Sequence, residues 1–113
     1  MHDTIDRDEL EEKLASDKDI VLIEVLDEEQ YEESHIEGAI NIPLSQIGRE
    51  IKGKIDTDRE IVVYCADFEC QASPKAAEKL DKLGYENVYD YAGGKKDWRE
   101  AGNTMSGDAS PVT

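Results

Sequence analysis

The chain has 113 residues, with 13 lysines and arginines against 28 aspartates and glutamates, a formal net charge of −15. That length suits one domain whose own core needs no disulfide or metal staple. The acidity argues against nucleic acid or an anionic membrane surface as a partner, since both reward clustered Lys and Arg; it fits high solubility, or a basic partner protein.

In chain order, Asp6 and Glu9 are spaced as a capping box, with Ile5 and Leu10 placed for the hydrophobic staple. They predict a helix carrying Leu10 and Leu14 on its apolar face. Ile20 to Val25 (IVLIEV) is almost continuously apolar, the pattern of a strand covered on both faces. A short acidic helix is predicted over Glu28 to Glu33, then a short strand over Gly38 to Ile42, closed by Pro43. Leu44 to Ile51 reads as helical, with Ile47 and Ile51 on one face.

Ile61 to Tyr64 is the next buried strand. Ser73 to Leu83 is the strongest helix signal: Ser73 can cap, Pro74 suits the first turn and Gly84 ends it. Its core face is Ala76, Ala77, Leu80 and Leu83. Asn87 to Tyr91 is a further strand, Gly93-Gly94 a turn, and Lys95 to Ala101 a short helix holding Trp98. Strands alternating with helices predict a single α/β domain over residues 1–102, a parallel sheet with helices on both faces. The tail, 103–113, is small and polar and reads as disordered. The chain is expected to be a monomer.

MHDTIDRDEL has no apolar signal core, and no apolar run approaches membrane-spanning length. A cytoplasmic placement follows as the expectation, where a cysteine stays reduced unless it is reactive. Cys65 and Cys70, five positions apart, make no secreted disulfide framework. His2 and His35 stand in no ligand spacing with them, so neither a metal nor a cofactor is expected. Asp27, Glu28, Glu29, Glu32 and Glu33 read as a solvated face.

In a parallel sheet, ligands bind beyond the carboxyl ends of the strands. Leu26-Asp27, Pro43-Leu44, the loop from Cys65 and Gly93-Gly94-Lys95 collect there, and only the cysteine loop carries obvious chemistry. Cys65 ends a core strand, where a cysteine taken alone is an inert core residue. Between a strand and a helix N-terminus, however, loop amides and the helix dipole can hold an anion, and thiolate character is raised by such surroundings. The loop runs through Ala66, Asp67, Phe68, Glu69, Cys70, Gln71, Ala72 and Ser73. Asp67 and Glu69 oppose an anion if they point inward.

SHIEGAINIP (34–43) resembles the GHIPGAINIP segment of rhodanese-like domains. VVYC (62–65) is similar to the strand that delivers their catalytic cysteine. SPKAAEKLDKLGYENVYDYAGGKKDWREAG (73–102) resembles their subsequent helix, strand, GG turn and tryptophan helix. The resemblance is collinear from about Asp6 to Gly102. It implies a single-domain rhodanese fold with Cys65 as nucleophile, taking a sulfane sulfur from a donor as a persulfide and passing it to an acceptor thiol or cyanide.

This sequence departs from that family in three ways. Family loops read CxxxxR, followed by Ser or Thr and the helix, whereas here Cys70 sits where the arginine falls. Aligning on SPKAA instead lengthens the loop by two residues and still supplies no arginine. The family's DVR-like segment appears as Glu24-Val25-Leu26. Without a guanidinium, dianionic thiosulfate is disfavoured, as are the phosphate and arsenate chemistries of relatives with longer loops. Lys75 and Lys95, or Lys96, are candidate anion contacts. Small-molecule or protein persulfides are the expected donors. Two alternatives stand beside this reading: a thiol-disulfide protein using Cys65 and Cys70, and a non-catalytic rhodanese-fold binding module.

Overall fold

A computed structural model describes residues 3–16, 19–48, 51, 54–103 and 105–106. Its elements are β1 (Asp3–Ile5), α1 (Arg7–Ser16), β2 (Val21–Glu24), α2 (Glu28–Glu33), β3 (His35–Ile36), β4 (Ile40–Asn41), a 3-10 turn (Leu44–Gln46), β5 (Ile61–Tyr64), α3 (Ala72–Lys82), β6 (Val88–Tyr91), α4 (Gly94–Glu100) and β7 (Met105–Ser106). Five parallel strands form the sheet in the order β1-β6-β5-β2-β4. β5 lies at its centre, with Val21–Glu24 in register against Ile61–Tyr64 on one side and Val88–Tyr91 on the other.

Side chains alternate across the sheet, so β5 feeds two cores. Ile61, Val63 and Cys65 face one side with Ala76, Ala77 and Leu80 of α3. Val62 and Tyr64 face the other with Leu10 of α1 and Trp98 of α4. The capping box forms as expected: Asp6 N donates to Glu9 Oε1 at 3.2 Å, and Glu9 N to Asp6 Oδ1 at 2.9 Å. Ile5 and Leu10 are both buried in the same cluster.

Several expectations need adjusting. The helix expected over Leu44 to Ile51 is a 3-10 turn of three residues, Leu44–Gln46. Gly48, at a φ of 106°, turns the chain out of helical geometry; residues 49 and 50 lie outside the described residues. α3 starts at Ala72, with Gln71 at its N-cap, so Ser73 lies inside the first turn and caps nothing. Of the tail expected to be disordered, Met105 and Ser106 pair antiparallel with Ile36 and His35, because β3 offers a free backbone edge. Residues 104 and 107–113 lie outside the described residues. β1, for which the sequence carried no strand signal, pairs parallel with β6.

Candidate active site

β5 delivers Cys65 at the carboxyl end of the central strand, and the side chain is only 1% exposed. The segment that follows is bent by Asp67. Its carboxylate Oδ1 accepts from Glu69 N at 3.0 Å, and its carbonyl accepts from Cys70 N at 3.2 Å. This is an Asx-initiated turn, a use for which aspartate is suited. Asp67 is thus engaged in shaping the loop, and Glu69 is exposed to solvent. Phe68, at the crest, is 70% exposed.

The turn brings the chain back on itself. Cys70 returns to 6.3 Å from Cys65, Cα to Cα, and the two sulfurs are joined in a disulfide. Ser73, 1% exposed, places its hydroxyl oxygen 3.5 Å from Cys65 Sγ. Its O–H can donate to that sulfur, and would favour a thiolate there over a thiol. The first turn of α3 directs its positive dipole end at the same place. Of the backbone amides expected to hold an anion, those of Glu69 and Cys70 are already used inside the loop.

The loop is seated on α4. Lys95 N donates to Cys65 O at 3.0 Å, and Lys96 N to Ala66 O at 2.9 Å. Gly94 permits this approach. Its φ is 65°, and a Cβ there would lie 2.5 Å from Cys65 O and 2.8 Å from Asp67 N. The GG turn therefore supplies contact with the cysteine loop as well as a change of direction.

Beneath the site, on the opposite face of the sheet from Cys65, runs a buried polar network that sequence reasoning missed. Lys95 Nζ lies 2.9 Å from Glu24 Oε2, with the Glu24 side chain fully buried and that of Lys95 10% exposed. Lys95 also donates to Gln30 O at 2.8 Å and Ser34 O at 2.6 Å. Tyr64 donates to Glu24 Oε1 at 2.9 Å and accepts from Ile36 N at 3.1 Å. Burial raises the Glu24 carboxyl above its ordinary pKa, with Lys95 and Tyr64 pulling it back. Burial, then the Glu24 charge, pushes the Tyr64 phenol far upward, so it stays a donor. One signal was available: a glutamate inside the apolar run IVLIEV must find a buried partner.

Lys95, expected as an anion contact, takes part in this network. Its ammonium is engaged by Glu24 and two carbonyls. Lys75 is exposed on the first turn of α3. Two further cations of α4, Lys96 and Arg99, stand near the loop. They line a groove of about 450 Å³ together with Lys95, Ala66, Asp67, Glu33 and Glu100. Arg99 donates to Ser34 Oγ at 2.9 Å. Lys96 and Arg99 stand three residues apart on one helix face, a spacing that could have flagged the second of them. His35 stacks on Tyr31 at 3.8 Å between ring centroids, and its Nδ1 lies 2.8 Å from Tyr31 O. It is a structural residue of the α2–β3 corner.

The rhodanese-like domain family model matches residues 6–101. The chain belongs to the rhodanese-like family. The thiosulfate sulfurtransferase GlpE of Coxiella burnetii is 31% identical over 87 residues, 77% of this chain and 78% of the relative. A rhodanese-like domain of Anabaena superposes with a TM-score of 0.87 at 25% identity, covering 100% of this chain and 87% of that one. The human single-domain sulfurtransferase TSTD1 does so with a TM-score of 0.80 at 26% identity, covering 88% and 97%. The α/β class expected from sequence is thus the rhodanese-like fold. Among the described residues, no helix is long and apolar enough to cross a membrane. Nor does any group of three or more His, Cys, Asp or Glu side chains there stand in position for a metal ion.

Proposed function

We propose that this rhodanese-like domain is a sulfurtransferase or sulfur carrier whose nucleophile is Cys65. Its thiolate attacks the terminal sulfur of a persulfide donor, RS–SH, expelling RS⁻ and leaving Cys65–S–SH. An acceptor thiolate then takes the outer sulfur. The observation that carries this reading is Cys65 Sγ at the end of the central strand, 3.5 Å from Ser73 Oγ and beside the N-terminus of α3. A hydroxyl donor and a positive dipole end at one sulfur are what a nucleophilic thiolate requires.

The donor class follows from charge. The groove mixes Lys95, Lys96 and Arg99 with Glu33, Asp67 and Glu100. A dianion gains little in such a field, whereas a small persulfide or a protein persulfide needs no compact cationic fork. The name of the Coxiella relative points to thiosulfate, but the loop here has a cysteine where a guanidinium would clamp that anion. The acceptor is a thiol of a small molecule or protein, the overall acidity suits a basic partner, and the protein works as a cytoplasmic monomer.

The test is transfer kinetics on the reduced protein. Glutathione persulfide should be turned over with a thiol acceptor far faster than thiosulfate, and Cys65→Ser should abolish the reaction. Preference for thiosulfate would overturn the donor assignment; full activity in Cys65→Ser would overturn the nucleophile.

A further inference from the structure

Cys70 occupies a position that persulfide transfer alone does not use. The turn initiated at Asp67 returns it to 6.3 Å from Cys65, inside the range of about 4.4–6.8 Å that disulfides span. No backbone movement is needed to bond the two sulfurs, and the structure holds them bonded. Cys65 is 1% exposed, whereas Cys70 is half-buried at the edge of the α3-side core. The atom Cys70 reaches is Cys65 Sγ, which in a persulfide is the inner sulfur.

Which sulfur is attacked decides the product. Attack on the outer sulfur would only move the persulfide. Attack on the inner sulfur forms the Cys65–Cys70 bond and expels the outer sulfur as HS⁻. Hydrogen sulfide is more acidic than an alkyl thiol, and exchange is faster with the more acidic leaving group.

We propose that Cys70 is a resolving thiol, making this protein a sulfane-sulfur reductase that releases sulfide. The proposal rests on persulfide formation at Cys65. In the first step Cys65–S⁻ and RS–SH give Cys65–S–SH and RS⁻. In the second, Cys65–S–SH and Cys70–S⁻ give the Cys65–S–S–Cys70 disulfide and HS⁻. The sulfane sulfur is reduced by two electrons, and the two cysteines are oxidised. A dithiol reductant closes the cycle, attacking the more accessible Cys70 sulfur first and freeing Cys65. The structure is then the oxidised end of the cycle, with the nucleophile covered.

The experiment adds about one equivalent of a small persulfide, anaerobically, to reduced wild-type protein and to Cys70→Ser and Cys70→Ala variants, then measures free sulfide and intact mass. Wild type should release about one equivalent of sulfide and become about two mass units lighter, with both cysteines closed to alkylation. Both variants should keep the sulfur on Cys65 and release at least about tenfold less sulfide. A wild type that holds its persulfide as long as the variants do would overturn the resolving role, while leaving Cys65 as sulfur acceptor. Equal sulfide from wild type and variants would do the same. If none of the three proteins takes sulfur from the donor, the persulfide reading itself fails and the reductase with it.

Discussion

Lys95→Met strikes the buried network under the cysteine loop. The substitution removes the ammonium set against Glu24 at 2.9 Å, and leaves the carbonyls of Gln30 and Ser34 without that donor. Met keeps the stem's length and apolar packing, so the loss is chiefly electrostatic. Breaking one side of a buried pair costs about 3–5 kcal/mol. At about 4 °C per kcal/mol for a domain of this size, Tm should fall by about 12–20 °C. The deficit should also depend on pH. Burial already holds the Glu24 carboxyl above its unfolded value, and loss of Lys95 raises it further. A carboxyl with a raised folded pKa contributes stability below the unfolded pKa and loses it as pH rises through the folded one. The Lys95→Met deficit is therefore smaller near pH 5 than near pH 8, and adding Glu24→Gln recovers part of it at the higher pH. Urea unfolding at both pH values is the assay. A deficit below about 1 kcal/mol, as for solvent-exposed pairs, and equal at the two pH values would refute the buried network.

Gly94→Ala forces a Cβ against Cys65 O and Asp67 N at a positive φ. It should cost about 2–4 kcal/mol in urea unfolding, and a change within about 0.5 kcal/mol, typical of a surface position, would remove α4 as the seat of the loop. Ser73→Ala deletes the hydroxyl beside Cys65 Sγ. Iodoacetamide alkylation of the reduced protein near pH 7 should slow about threefold as the thiol pKa rises; an unchanged rate would leave Ser73 as packing alone. Asp67→Ala removes the carboxylate acceptor of Glu69 N. The Cys65–Cys70 disulfide, titrated in a thiol redox buffer, should become severalfold easier to reduce as the turn loosens, and an unaltered equilibrium would show that the turn forms without it.

The sequence made the central architecture legible wherever one residue pattern spans a whole element. The apolar run ending at Tyr64 and the capped segment before Gly84 announced β5 and α3, and with them the position of Cys65 between strand and helix. β1 and β7 escaped because three and two residues are too few to show a period; each exists only through its partner strand. Ser73 illustrates a subtler limit. Its hydroxyl fitted a cap by local chemistry, but the N-cap of α3 is Gln71, two residues earlier, and the Ser73 side chain meets the sulfur instead. The pairing of Glu24 with Lys95 joins a strand to a helix far along the chain, so the sequence could mark Glu24 as anomalous without naming what answers it. Cys70 was visible as a thiol in place of an arginine. That it folds back within bonding distance of Cys65 depends on the turn at Asp67, whose carboxylate looked from sequence like an obstacle to the site.

The central claim is that Cys65 takes up sulfane sulfur. It is tested most directly by weighing the reduced Cys70→Ser protein intact after exposure to a small persulfide donor, then mapping the adduct by peptide. A gain of about 32 Da on the peptide containing Cys65, reversed by a reducing thiol and absent after the further change Cys65→Ser, is the result expected. An unmodified chain, or an adduct that persists when Cys65 is replaced, would contradict it.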